Sequence, residues 1–417
     1  MSVSATLKKT SKYLFTISSG TYLAYTTYFY FQKSDIIKID YHHNKLKEIV
    51  ELNKSFEHKI YNPSLFFNNG HIQSVLILVM NRLDKIFSKA KKKHYSKTRK
   101  LLKTKDGENI YLDFFVKAFD FDPNFENFEN MEFLSKFNDS NILIIIPGAC
   151  GSSGEFYLTD VMDRFINENF KCVAVNHRGI LKYPLKSNKL YHSGYTDDLH
   201  EVLKFLNTNI KGSKFFLLGF SMGGNITMKF IGESGEKAKT DYNIFGACAV
   251  GGPLDLKIFK EFSEPNNKNS FYSKYICKNL ISVFNKNKSF LTANMETKER
   301  LEFIAKIQGS VTPSDYYENY VFKAFNYKSM EEYHQNASGT SYINNIKVPF
   351  LCIMAEDDPI CPLTCITEHP EYKDNENFIL ATTKSGGHVG FFKGLSFKRW
   401  IHEPIIEFIR DLSHKKL

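Results

Sequence analysis

The chain has 417 residues, 42% of them hydrophobic and 24% charged, which is enough apolar sequence for one enlarged globular domain or two ordinary ones and excludes a disordered chain. Its net charge of +10 favours acidic or membrane-surface partners, whereas nucleic acid is not an expected one: the densest basic run, 89–100, lacks a zinc-finger or RNA-binding signature and reads as a solvated helix or linker. Seven cysteines at irregular spacing, with no C-x-x-C pair, indicate neither a disulfide framework nor a zinc site, so no metal or cofactor is expected.

Residues 13–32 carry no charge and follow Lys8, Lys9 and Lys12, a length sufficient to cross a bilayer once. The stretch is rich in Tyr and Thr, which suits an interfacial helix as well as a span, and no compact cleavage site follows it. Residues 1–34 are therefore read as an amino-terminal membrane anchor; the endoplasmic reticulum or another endomembrane is the expected location, and the organelle itself is left open by the sequence. Residues 35–100 show helical amphipathicity in places, no strand alternation and no evident chemistry, and read as a helical leader.

From residue 101 short β-type runs alternate with helical ones, the signature of a mostly parallel sheet with helices on both faces. Strands are predicted at 109–116, 141–146, 171–176, 214–218, 244–250, 350–354 and 378–382, several of them continuous apolar runs as strands buried on both faces should be. Leu158, Val161, Met162, Phe165 and Ile166 share one helical stripe, and Leu199, Val202, Leu203 and Leu206 another, opened by Thr196 as N-cap with Asp197 and Asp198 in the first turn. From about 255 to 346 no buried-strand run occurs; a helical insertion of that size between core strands reads as a lid. A last helix near Trp400 turns Ile401, Ile405, Phe408, Ile409 and Leu412 inward. The main domain is thus 101–417.

The chemistry is carried by three strand ends. Gly219-Phe220-Ser221-Met222-Gly223 follows an apolar strand and opens a helical run, the G-x-S-x-G turn that exposes a serine hydroxyl above a sheet edge. A serine needs a base to take its proton and an acid to orient that base. The strand at 350–354 ends in Glu356-Asp357-Asp358-Pro359, and Gly386-Gly387-His388-Val389-Gly390 follows the last strand. Asp358 is assigned as the acid over Asp357 because Pro359 and Pro362 follow it in a strand-end turn, and His388 as the base. An oxyanion would be held by the Met222 amide and by one from the loop Pro147-Gly148-Ala149-Cys150-Gly151, for which Ala149 is the choice; Cys150 has no elbow around it and reads as a packing residue. His192 and Asp197 match the H-x4-D spacing of glycerolipid acyltransferases, but their place before a helix favours a loop and helix-start role.

These motifs, with Asn69-Gly70-His71-Ile72-Gln73, Asn176-His177-Arg178-Gly179 and Tyr191-His192-Ser193-Gly194-Tyr195, resemble one branch of the α/β-hydrolase superfamily. That branch holds abhydrolase domain-containing proteins one to three, plant embryogenesis-associated relatives and fungal medium-chain fatty-acid ethyl ester synthases. The resemblance covers roughly residues 61–412. It implies an α/β-hydrolase fold with a helical lid, a membrane anchor, and esterase, phospholipase or monoacylglycerol lipase activity, with Ser221, Asp358 and His388 as nucleophile, acid and base. Gly251-Gly252-Pro253, Ala149 and Cys150 depart from the family pattern and bear on acyl-pocket shape. The expected partner is a lipid or small ester at a membrane surface. An alcohol O-acyltransferase using the same triad, and a non-catalytic protein binding a hydrophobic ligand, are the two rival readings; acyl length, headgroup and oligomeric state are left open by the sequence.

Overall fold

A computed structural model describes residues 35–42, 46–64, 67–87, 95–118, 132–264, 269–394 and 397–414. The anchor stretch 13–32, and residues 89–94 of the basic run, lie outside the described residues.

Nine strands build one sheet in the order β2-β11-β10-β9-β8-β6-β7-β5-β4. Its centre is β6 (Asn141–Ile146), β7 (Lys171–Asn176), β8 (Lys214–Phe220), β9 (Ile244–Val250), β10 (Phe350–Ala355) and β11 (Phe378–Thr383), each parallel to its neighbours within this set. Burial on both faces explains their unbroken apolar runs: Ile142, Ile144 and Ile146 of β6 enter one core cluster and Leu143 and Ile145 the other. With β5 (Asn109–Lys117), which pairs antiparallel with β7, these are the seven predicted strands, extended by one or two residues at some ends.

Helices cover both faces. The predicted stripes of α2 (Phe156–Asn167) and α3 (Asp197–Asn209) are buried on opposite sides of the sheet, and α9 (His402–His414) packs on the α2 side. Thr196 occupies the N-cap position of α3 without capping it: its hydroxyl donates to Glu233, and the buried Asp198 accepts from Arg178. Between β8 and β9 runs α4 (Met222–Ser234), the most fully buried helix of the site. Between β9 and β10 the described chain is helical, including α5 (Leu256–Phe262), α6 (Ser270–Leu291), α7 (Thr297–Gln308) and α8 (Met330–Ala337). These form a third apolar cluster rich in tyrosine, with Tyr316, Tyr317, Tyr320 and Tyr333 buried in it.

The reading of 35–100 as a helical leader needs correction. It does contain α1 (Gly70–Phe87), but β2 (Lys38–Tyr41) pairs antiparallel with β11 at one sheet edge, and β1 (Asp35–Ile36) pairs with β3 (Ile60–Tyr61). At the opposite edge β4 (Tyr95–Lys103) pairs along its whole length with β5, so residues 95–100 of the basic run are strand, not solvated helix or linker. Edge strands bury one face only and tolerate lysine, which removes the apolar run that marks a central strand.

Candidate active site

The site lies where β8, β10 and β11 end. Ser221 sits between β8 and α4 with φ 53° and ψ −126°, a conformation L-residues rarely adopt. The turn closes only because its glycines lack side chains: a Cβ on Gly219 would lie 2.1 Å from the Gly223 carbonyl oxygen, and one on Gly223 would lie 2.2 Å from that of Ile146. Two loops meet this hydroxyl. His388 Nε2 is 2.9 Å from Ser221 Oγ, and His388 Nδ1 is 2.9 Å from Asp358 Oδ2.

Asp358 is held rigidly, its other oxygen accepting from the Ile360 and Cys361 amides. With Asp358 drawing the Nδ1 proton, Nε2 is left to accept from Ser221. Asp357 does a different job, accepting from the Gly387 amide at 2.8 Å and so bracing the histidine loop. Burial pushes the Asp357 carboxyl up to about 6, with the neighbouring Asp358 charge adding to the rise.

The loop after β6 is fixed from three sides. The Gly148 amide donates to the Tyr157 hydroxyl and the Cys150 amide to the Tyr191 hydroxyl, each at 2.9 Å. His177, which burial holds neutral by pulling it down to about 4, donates from Nε2 to the Pro147 carbonyl. Among the described residues no acceptor takes the amides of Ala149 or Met222. Both amides are therefore unpaired; Met222 directly follows Ser221, and Ala149 shares a cavity wall with it. The Cys150 thiol is pushed up to about 12 by burial and stays protonated near neutrality, so it is no competing nucleophile.

Most of the residues that support the site carry no pattern in the sequence. Ser74 of α1 accepts the His388 amide at 2.7 Å while donating to the Gly70 carbonyl, and Gln73 accepts the Phe392 amide. The fully buried Arg399 donates to the Val389 and Gly390 carbonyls of the histidine loop and to the Tyr157 carbonyl, joining that loop to the residue that pins Gly148. Only the Asn69-Gly70-His71-Ile72-Gln73 motif hinted at the first group. His192, by contrast, is buried among Phe325, Tyr327 and Tyr333 and accepts the Gly194 amide, while Asp197 is exposed at the start of α3. That pair plays the loop and helix-start part expected of it.

Asp358, Cys361 and His388 also place donor atoms within 4.8 Å of one another. Burial keeps the Cys361 thiol protonated, and the Asp358 and His388 atoms are already bonded to each other and to Ser221, so the chemistry of the set is that of a hydrogen-bond relay.

A cavity of about 360 Å³ opens onto Ser221 and His388 between α1 and α6. Ile77, Leu78, Tyr272, Ile276, Val283 and Ile360 supply its apolar wall. That volume falls within the range of small-molecule sites.

The sequence profile of the Hydrolase_4 family, described as serine aminopeptidase S33, matches residues 138–368. A monoacylglycerol lipase of Saccharomyces cerevisiae is 31% identical over 271 residues, which span 64% of this chain and 59% of the yeast protein, less than two thirds of its length. The embryogenesis-associated protein EMB8 of Picea glauca is 25% identical across 84% of this chain and 72% of its own. Monoacylglycerol lipase ABHD2 of Danio rerio is 24% identical across 83% and 76%.

Proposed function

We propose, for a chain that belongs to the Hydrolase_4 family of α/β-hydrolases, that it is a serine carboxylic-ester hydrolase acting on lipid esters through Ser221, His388 and Asp358. The observation that carries this reading is the pair of 2.9 Å contacts linking Ser221 to His388 and His388 to Asp358 at the wall of an apolar cavity.

His388 Nε2 takes the Ser221 proton as Oγ attacks the ester carbonyl carbon. The amides of Met222 and Ala149 hold the oxygen on which charge develops. Asp358 keeps the imidazole in register and stabilises its cation, which then protonates the leaving alcohol as the ester C–O bond breaks. Water, deprotonated by His388, attacks the acyl-serine; the acid leaves and Ser221 regains its proton. A lipid acyl chain suits the apolar wall, and the yeast and fish relatives are named for acting on monoacylglycerols. The helices between β9 and β10 act as the lid, since α6 forms one side of the cavity. Residues 13–32 anchor the chain to a membrane; no helix among the described residues is long and apolar enough to cross one.

The test is to offer the purified protein and its Ser221→Ala variant a panel of acylglycerols, phospholipids and short esters, alongside a fluorophosphonate probe. Wild type should label and hydrolyse lipid esters, and the variant should lose labelling and about 10⁴- to 10⁶-fold in kcat. A folded wild type that neither labels nor cleaves any ester would end the proposal.

A further inference from the structure

Helix α1 has two working edges. One contributes Ser74, Ile77, Leu78 and Asn81 to the cavity that holds Ser221. The other presents Ile72, Val75, Val79, Leu83 and Ile86 to solvent, each at least 40% exposed. At 100° per residue these five fall within an arc of about 80°, a continuous aliphatic stripe some four turns long. A solvated helix face of that composition needs a partner. Across the cavity, the first turns of α6 expose Phe271 and Tyr275, and Tyr275 also lines the cavity.

The surroundings of the stripe say what the partner is. Arg82 lies on the seam between stripe and cavity, Lys274 and Lys278 flank Tyr275, and Lys286 stands at the cavity wall; all four are exposed. Of the acids nearby, Asp84 falls on the far side of α1 from Arg82 by the same helical spacing, and the half-buried Glu155 shares the cavity wall with Lys286, leaving the basic groups in excess. Aliphatic side chains beside exposed basic groups match a bilayer surface containing anionic lipid, which offers hydrocarbon below and negative charge above.

We infer that the exposed face of α1, with Phe271 and Tyr275 of α6, docks on an anionic bilayer surface and turns the mouth of the Ser221 cavity toward the leaflet. This rests on the reading of the site as a lipid-ester hydrolase and adds the route by which its substrate arrives. A lipid leaving the leaflet between α1 and α6 would pass Tyr275 and Ile276 to reach Ser221, with its acyl chain kept out of water.

The 417-residue chain carries a single tryptophan, the buried Trp400, so the difference in emission between variant and parent reports the surroundings of an added indole. Val79→Trp, mixed with phosphatidylcholine–phosphatidylserine vesicles whose acyl chains carry bromine, should shift its emission to the blue and be quenched. In the same 417-residue background, Val75→Asp with Val79→Asp should lower hydrolysis of a vesicle-embedded monoacylglycerol at least about tenfold, as when two aliphatic side chains are withdrawn from hydrocarbon. Hydrolysis of a soluble short-chain ester should be unchanged, because neither valine lines the cavity. An unquenched Val79→Trp indole on vesicle-bound protein, or embedded substrate cleaved as fast by the double variant as by wild type, overturns the inference. So does an indole already blue-shifted without vesicles and released by dilution, which would mean that a second copy covers the face. Quenching without cleavage of any ester would instead remove the hydrolase reading and leave the docking face standing.

Discussion

Asp357 and Asp358 are adjacent in sequence and opposite in duty, and the difference lies in which amides and rings reach each carboxylate. Asp358 faces His388 Nδ1, so Asp358→Asn presents a neutral group to the imidazolium and admits the wrong tautomer; kcat should fall about 10⁴-fold with KM little changed. Asp357→Asn keeps a side-chain oxygen for the Gly387 amide, and its kcat should fall far less. Stability gives a second test of Asp357. The folded state raises the Asp357 carboxyl to about 6 from an ordinary 3.8, chiefly by burial, so folding favours its protonated form. That contribution is fully present below about pH 4 and is lost as the pH rises through about 6. The Asp357→Asn protein should therefore melt above wild type at about pH 7.5, with the gap closing on acidification to about pH 4. Calorimetry across that range checks this, and a gap independent of pH would refute it. The sequence made these residues legible because strand-end acids and a glycine-flanked histidine occur in a fixed order after G-x-S-x-G. It could not show that Ser74 lies under His388, because the two are 314 residues apart and a lone serine on a helix carries no pattern.

Helix α1 shows why element type and element role are read with different success. Its apolar periodicity marks a helix, yet its function depends on what its first turn touches. Gly70 approaches so closely that a Cβ there would fall 2.0 Å from the Asp357 carbonyl oxygen, and Ser74 one turn on accepts the His388 amide. The helix is thus a splint for the loop that carries the base. Ser74→Ala leaves the His388 amide without an acceptor, a loss of about 1–3 kcal/mol when the group is part-buried. Released from that bond, His388 should sample positions out of reach of Ser221. The expected result is a lower kcat at nearly unchanged KM for a soluble ester, with a modest fall in melting temperature; full activity in Ser74→Ala would show that Asp357 and Arg399 suffice to hold the loop. The central strands were legible because burial on both faces writes itself as continuous apolar sequence. Strand β2 was not: Ile39 and Tyr41 are its only apolar residues, and its partner β11 lies some 340 positions away.

At the scale of the molecule, the segment 35–64 is a seam rather than a leader. β2 completes the sheet beyond β11, and Leu46, Ile49, Phe56 and Tyr61 are buried in the cluster shared with α2 and α9. Polar bonds fasten the same segment: Asp35 accepts the Ser385 amide, Asn53 donates to the Pro404 carbonyl, Glu407 accepts from Ser55, and the Tyr61 hydroxyl donates to the Phe392 carbonyl. Two of these anchor points, Ser385 and Phe392, bracket His388. Removing residues 1–68 would therefore expose the backbone of β11 as a new apolar edge, open the α9 cluster to water and unfasten the histidine loop at both ends. Removing only residues 1–34 leaves every one of these bonds in place, since they begin at Asp35. The chain 35–417 should elute as a soluble species with wild-type melting temperature and wild-type hydrolysis of a soluble ester. The chain 69–417 should aggregate or lose that hydrolysis. A monomeric, fully active 69–417 would mean that α1 and the sheet core position His388 without the seam.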